Sequence, residues 1–261
     1  MAKHEGRKSG HQKKLFQSTT VGSWITLGHP AVAEILAKAG FDWLTVDLEH
    51  SVISLGEAEN LIRVIELCGS VPLVRLSAND PVQIKRVMDA GAHGVIIPMV
   101  KTRNDIVTAV EAVHYPPGGS RGVGLARAQG YGADFKRYFE WQRAEAAVVA
   151  QIEHIKAVEN LSEIFKTPGV DGFIVGPYDL SGSLGRPGDF EHPEFLEAMA
   201  EIDRVAEEVG TPGGIHIVEP DIAELERCLD AGYRFIAFSV DIRLLDVACR
   251  SGIKVAKERR Q

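Results

Sequence analysis

Short apolar runs alternate along this chain with longer stretches in which apolar residues recur every three or four positions. The runs fall at Gly22–Leu27, Trp43–Leu48, Pro72–Leu76, Gly94–Met99, Ala147–Ile152, Gly172–Gly176, Gly213–Val218 and Phe235–Val240. They are rich in Val and Ile and mostly lack strict alternation, as strands covered on both faces do. The periodic stretches predict helices over Ala31–Ala39, Leu55–Cys68, Pro81–Ala90, Arg103–Val113, Ala157–Phe165, Pro193–Val209, Asp221–Ala231 and Leu244–Glu258. Gly40, Gly91 and Gly232 each follow a helical pattern and precede a strand, where a glycine takes the left-handed cap without strain. Strands and helices in strict alternation point to an α/β fold, a single closed parallel (β/α)8 barrel. A doubly wound open sheet is the other arrangement compatible with the order. No Gly-x-Gly-x-x-Gly opens a helix after the first run, which disfavours its dinucleotide-binding form.

Two segments break the rhythm. Tyr115–Glu140 is long and Gly-rich, and such a loop in a compact domain is usually functional. Lying before the fifth strand, it is expected to fold over the catalytic end of the barrel. Pro187–Gly188–Asp189, after the sixth strand, is a second lid candidate.

Length and composition narrow the class further. A chain of 261 residues, 45% hydrophobic, can bury one barrel core as a single domain over residues 21–261. Its net charge of −7 gives no electrostatic support to nucleic-acid or anionic-membrane binding. Lys3, Arg7, Lys8, Lys13 and Lys14 form a basic arm over residues 1–20, expected to be solvated and flexible. No apolar core follows it as in a secretory signal, and no run is long enough to span a bilayer. Cys68, Cys228 and Cys249 are odd in number and far apart, which suits free thiols in a reducing, cytoplasmic setting.

Chemistry in such a barrel belongs to the carboxyl ends of the strands. There the chain places Asp47, Glu49 and His50, then Arg75, Gln151, Glu153 and His154, then Gly176 to Asp179, and finally His216. Glu153 and Asp179, from neighbouring strands, suit a hard octahedral cation completed by water and substrate. The competing role for Glu153 is a buried ion pair with Arg75. Gln151 shares a strand face with Glu153 and could orient a bound oxygen. The turn Gly176–Pro177–Tyr178–Asp179 offers backbone amides to a carboxylate. His50 suits proton transfer near neutral pH, with Asp89 either tuning it or standing as a surface acid at a helix end. His216 is either a substrate contact or a packed histidine with a satisfied ring. A Schiff-base mechanism would need a lysine pointing into the barrel, for which Lys101 and then Lys156 are the weak candidates.

These residues sit in motifs that resemble the HpcH/HpaI family of class II pyruvate aldolases, from about Gly22 to Arg250. The motifs are Ala39–Gly40–Phe41–Asp42–Trp43 leading to Glu49–His50, Arg75 followed by Asn79–Asp80–Pro81, Pro98–Met99–Val100, Tyr115–Pro116–Pro117–Gly118 with Arg121–Gly122–Val123–Gly124, Gln151–Ile152–Glu153, and Gly176–Pro177 with Asp179–Leu180–Ser181. The resemblance implies a metal-dependent lyase that cleaves a 4-hydroxy-2-oxo acid to pyruvate and an aldehyde. It further implies that Glu153 and Asp179 bind Mg2+, Mn2+ or Co2+ and that Arg75 contacts the keto oxygen. His50, supported by Asp89, would move protons, Asp47 would help build the site near His50, and the amides near Pro177–Asp179 would take the pyruvate carboxylate. A homo-oligomer, a hexamer built as a trimer of dimers that exchange C-terminal helices, is implied too. The stripe Leu244, Leu245, Val247, Ala248 and Val255 would bury there, or else on its own barrel. The chain departs from many relatives at His154 and at His216, so the pyruvate half matches the family better than the aldehyde half. A citrate-synthase-like or decarboxylating enolate enzyme, and a non-catalytic binding barrel, are the alternative readings.

Overall fold

The computed structural model describes residues 13–259. Eight parallel strands close into one barrel in sequence order, β1 (Thr20–Ile25), β2 (Trp43–Asp47), β3 (Val71–Arg75), β4 (Gly94–Ile97), β5 (Ala147–Ile152), β6 (Gly172–Val175), β7 (Gly214–Ile217) and β8 (Phe235–Val240). The helices around them are α1 (Pro30–Ala39), α2 (Leu55–Leu67), α3 (Pro81–Asp89), α4 (Arg103–Val113), α5 (Phe135–Glu145), α6 (Ile155–Glu159), α7 (Leu161–Phe165), α8 (Pro177–Ser183), α9 (Pro193–Val209), α10 (Ile222–Asp230) and α11 (Asp241–Glu258). Capping chemistry sets several starts. Ser54 and Glu57 close a reciprocal capping box on α2, and Thr102 and Asp105 do so on α4.

Strand residues divide between two apolar layers, because successive side chains leave a strand on opposite faces. Leu44, Val46, Val74, Val148, Ala150 and Val175 pack outward against the helices. Trp24, Trp43, Leu73, Val149, Ile174 and Phe235 fill the barrel. The interior is so full that Gly22 is obligatory, since a Cβ there would stand 2.0 Å from the Trp43 ring.

The amino end of the barrel is sealed by the last part of the N-terminal arm. Phe16 has no exposed surface and meets Phe235 at 5.4 Å between ring centroids. Lys13 is buried, with Nζ 2.7 Å from Asp171 Oδ2 and a further bond to the Ala146 carbonyl. Lys13 is thus not part of a solvated arm, and its charge is neutralised between the starts of β5 and β6. Lys14 is exposed, while Lys3, Arg7 and Lys8 lie outside the described residues.

The long segment after α4 does not cover the catalytic rim. It contains a 3-10 turn at Arg127–Gly132 and runs into α5, a helix the apolar pattern did not reveal. Arg121 is buried within it, bonded to the Val113 carbonyl at 2.9 Å and the Tyr138 hydroxyl at 2.8 Å, with its guanidinium 4.0 Å over the Tyr115 ring. Arg127 reaches the Ala90 carbonyl at 3.0 Å and pairs with Glu66, near the ends of α3 and α2. A segment that follows a helix and precedes a strand begins and ends at the amino side of the barrel, and here it stays there. The second lid candidate is also tied down, for the Gly188 amide donates to Ser181 Oγ at 2.9 Å. No helix among the described residues is long and apolar enough to cross a membrane.

Candidate active site

The inward-facing rows turn polar toward the carboxyl ends of the strands. Trp43 and Thr45 lead to Asp47, Leu73 leads to Arg75, Val149 leads to Gln151 and Glu153, and Gly214 leads to His216. Asp47 and Arg75 are register partners across β2 and β3. Arg75 Nε and Nη2 bond the two carboxylate oxygens of Asp47 at 2.9 and 2.6 Å. Both side chains are nearly sealed, at 8% and 2% exposed, so the pair holds a fixed cation in the mouth. Burial alone would raise the Asp47 carboxyl, but the Arg75 bonds outweigh it and hold it below its ordinary range. Asp47 also accepts from the Glu49 and His50 amides, which shapes the turn carrying both side chains.

Glu153 does not pair with Arg75. One of its oxygens accepts from the Met99 amide at 2.5 Å and the other from Gln151 Nε2 at 2.5 Å. Met99 can aim its N–H this way because its backbone is left-handed, φ 53°. That conformation is uncommon outside glycine and worth noting where it supports a functional group. Burial raises the Glu153 carboxyl to about 7, helped by Glu49 and Asp179 and only partly offset by the Met99 bond. Gln151 Oε1 is buried with no partner. Gly176 leaves the room these groups need, since a Cβ there would lie 2.9 Å from Glu153 Oε2 and 3.1 Å from Gln151 Nε2. Asp179 stands in the first turn of α8, exposed toward the mouth, after Pro177 at the helix start. A buried carboxylate lacking countercharge, a second acid at the rim and an unused amide oxygen fit a hard divalent cation. Among the described residues no cluster of three or more His, Cys, Asp or Glu side chains is arranged to hold a metal.

Glu49 is a site residue to which the sequence motif assigned no role. It lies 3.3 Å from Arg75 Nη1 and 3.7 Å from His50 Nε2, and its Oε2 is buried without a hydrogen bond. Burial raises its carboxyl above the ordinary value. His50 is at the rim with its side chain 60% exposed. Asp89 is not beside it. Asp89 ends α3, which runs back to the amino end of the barrel, and its nearest cation is Arg121 at 4.0 Å. Within this chain the expected His50–Asp89 contact is absent, and burial raises the Asp89 carboxyl. His154 caps α6, its Nδ1 accepting from the amide of Lys156, the second residue of that helix. Lys101 lies beyond β4, off any strand. His216 packs against Trp24, with ring centroids 5.1 Å apart, and Nε2 lies 3.2 Å from the Ser239 carbonyl. Tyr178 is exposed at 48% and meets Phe190 edge-on at 5.1 Å.

The chain is similar in sequence and fold to known proteins. Residues 20–247 match the family model described as HpcH/HpaI aldolase/citrate lyase. The chain is 38% identical over 240 residues to a hydroxypyruvate/pyruvate aldolase of Paraburkholderia phytofirmans, covering 89% of this chain and 91% of that protein. It is 39% identical over 227 residues to a 4-hydroxy-2-oxo-heptane-1,7-dioate aldolase of Escherichia coli, covering 86% of each. A crystal structure of a family protein from Burkholderia cenocepacia superposes with a TM-score of 0.88 at 35% identity, over 94% of this chain and 97% of the other. The chain belongs to the HpcH/HpaI aldolase/citrate lyase family.

Proposed function

We propose that this enzyme, a pyruvate aldolase by family, reversibly cleaves a 4-hydroxy-2-oxo acid to pyruvate and an aldehyde through a pyruvate enolate. The observation that carries the reading is the opposition, across one barrel mouth, of a locked Arg75 to the acid pair Glu153 and Asp179. Those two carboxylates would hold a divalent cation, Mg2+, Mn2+ or Co2+. When bound there, the cation supplies Lewis-acid charge to the 2-oxo acid. Arg75 spends its Nε–H and one Nη–H on Asp47, so further N–H groups of the same fork are available to the keto oxygen as negative charge develops on it. The free amides of Tyr178 and Asp179 at the start of α8 would receive the carboxylate, and Gln151 would orient a neighbouring oxygen. His50 would take the proton of the 4-hydroxyl during cleavage and return a proton to the enolate carbon. Glu49, between Arg75 and His50, would hold that ring in place. Asp89 cannot assist His50 from its own chain, so that part of its expected role lapses within one protomer.

A homo-oligomer, a hexamer in the family's manner, is supported by α11. Leu244 packs on its own barrel, but Leu245 is 58% exposed and Val255 51%, whereas Ile253 points away from that stripe. An apolar stripe left open on a long helix calls for another surface. The free thiols of Cys68, Cys228 and Cys249 suit a reducing compartment, and we place the enzyme in the cytoplasm. The test of the reaction is deuteration of the pyruvate methyl group in heavy water, followed by proton NMR. Exchange that stops on chelation and returns with Mn2+, Co2+ or Mg2+ supports the proposal. Exchange that survives chelation, with borohydride trapping pyruvate on an amine, overturns it.

A further inference from the structure

His216 is an inward-facing polar residue that the reaction as described leaves without a task. It stands on β7 opposite Ala237 of β8. Its ring is tilted by 31° against the Trp24 indole, and the same indole carries the Arg75 guanidinium 4.2 Å from its centroid. One flat side chain therefore separates the imidazole from the group assigned to the keto oxygen. An aldehyde that joins the methyl carbon of pyruvate lies within a bond or two of the enolate. Substituents next to its carbonyl then extend into the part of the mouth that His216 lines.

The hydrogen bonding of the ring is one-sided. A carbonyl can only accept, so Nε2 donates to Ser239 and the lone pair rests on Nδ1. No hydrogen bond among the described residues uses Nδ1, and His216 as a residue keeps some exposed surface. Ser239 is itself fixed, with φ 59° and its hydroxyl donating to the Val218 carbonyl at 3.0 Å. The imidazole is thus oriented by the fold through one nitrogen, while the other remains unspent. An aliphatic side chain would fill the same space without the cost of burying a polar ring.

We propose, on the aldolase reading above, that His216 sets acceptor specificity by accepting, at Nδ1, a hydrogen bond from a hydroxyl adjacent to the aldehyde carbonyl. The favoured acceptors are short, uncharged hydroxyaldehydes. Burial and the positive charge of Arg75 push the ring down to about 3, so it remains neutral in the working range. A neutral ring offers no countercharge to a carboxylated aldehyde, and its lone pair faces the carboxylate oxygens unfavourably.

The test compares kcat/KM for addition of pyruvate to glycolaldehyde, acetaldehyde and succinic semialdehyde. Wild type should prefer glycolaldehyde to acetaldehyde by about tenfold or more, the scale of one hydrogen bond in a partly desolvated site. His216→Leu should remove most of that ratio. His216→Phe keeps a flat ring against Trp24 without either nitrogen, and should remove it as well, which covers the case in which the leucine variant fails to fold. A ratio is insensitive to the fraction of active protein. The proposal is overturned if either folded variant keeps the wild-type ratio, or if wild type prefers succinic semialdehyde. Failure of wild type to deuterate pyruvate would instead remove the aldolase reading itself, so the two failures are distinguishable.

Discussion

Replacing Asp47 by Asn tests whether Arg75 is a prepositioned cation or a side chain free to find its own place. The substitution keeps the shape but removes the charge and one of two acceptor oxygens from a bidentate pair whose members are 2% and 8% exposed. Breaking a buried ion pair by altering one partner costs about 3–5 kcal/mol. Glu49, 3.3 Å from Arg75 Nη1, still supplies part of the countercharge, which favours the lower end. For a chain of this size about 3 kcal/mol corresponds to a fall in Tm of roughly 6–12 °C. The fork would also turn toward Glu49 and away from the keto oxygen. Pyruvate deuteration should drop by about 100-fold, the scale of one lost oxyanion donor. The pH dependence carries a sign. A carboxyl held below its ordinary range stabilises the fold above its unfolded pKa, and the contribution disappears as pH falls through the folded one. The Tm gap between wild type and Asp47→Asn should therefore be widest at neutral pH and close in acid. Calorimetry from neutral to acid pH, with exchange measured at pH 7, reads all three effects. A Tm within about 2 °C of wild type and exchange within about threefold would refute the reasoning.

Other perturbations reach different parts of the site. Arg75→Lys keeps the charge but loses the planar fork, and should lower turnover by about 100-fold in the same exchange assay. Gly176→Ala drives a Cβ against Glu153 Oε2 and Gln151 Nε2, and should weaken Mn2+ binding by about tenfold or more in a direct titration while the circular dichroism spectrum is retained. Because Glu153 is raised to about 7, the metal-free enzyme should lose stability as pH rises from about 4.5 to 7, and Mn2+ affinity should climb over the same interval with release of close to one proton, measurable by calorimetry in buffers of different ionisation enthalpy.

Much of this was readable in the chain, and the exceptions have physical causes. The strands Ala147–Ile152 and Phe235–Val240 coincide with the apolar runs, because a barrel strand is covered by helices outside and side chains inside. Helix α5 was hidden because it buries only Tyr138 and Gln142, too few positions for an apolar stripe. Its approach segment lies at the amino side and not over the catalytic end, as its place between a helix and the following strand dictates. Lys13 could not be read as buried, since its partner Asp171 lies 158 positions away. The Asp47–Arg75 pair depends on the register of β2 and β3, which no local pattern reveals. Asp89 follows from the same limit. The helical position was clear, but its distance from His50 is a property of the barrel and not of the motif.

On the proposed reading, Glu153 and Asp179 carry the metal while His50 carries the proton. Titration of Mn2+ into the metal-stripped enzyme, followed by electron paramagnetic resonance, separates the two roles in one measurement. The account predicts one tight Mn2+ per chain in wild type and in His50→Ala, and an affinity lower by about tenfold or more in Glu153→Gln, where a neutral amide oxygen replaces a charged ligand. Wild-type affinity in Glu153→Gln together with loss of binding in His50→Ala would contradict it and move the metal to the histidine side of the mouth.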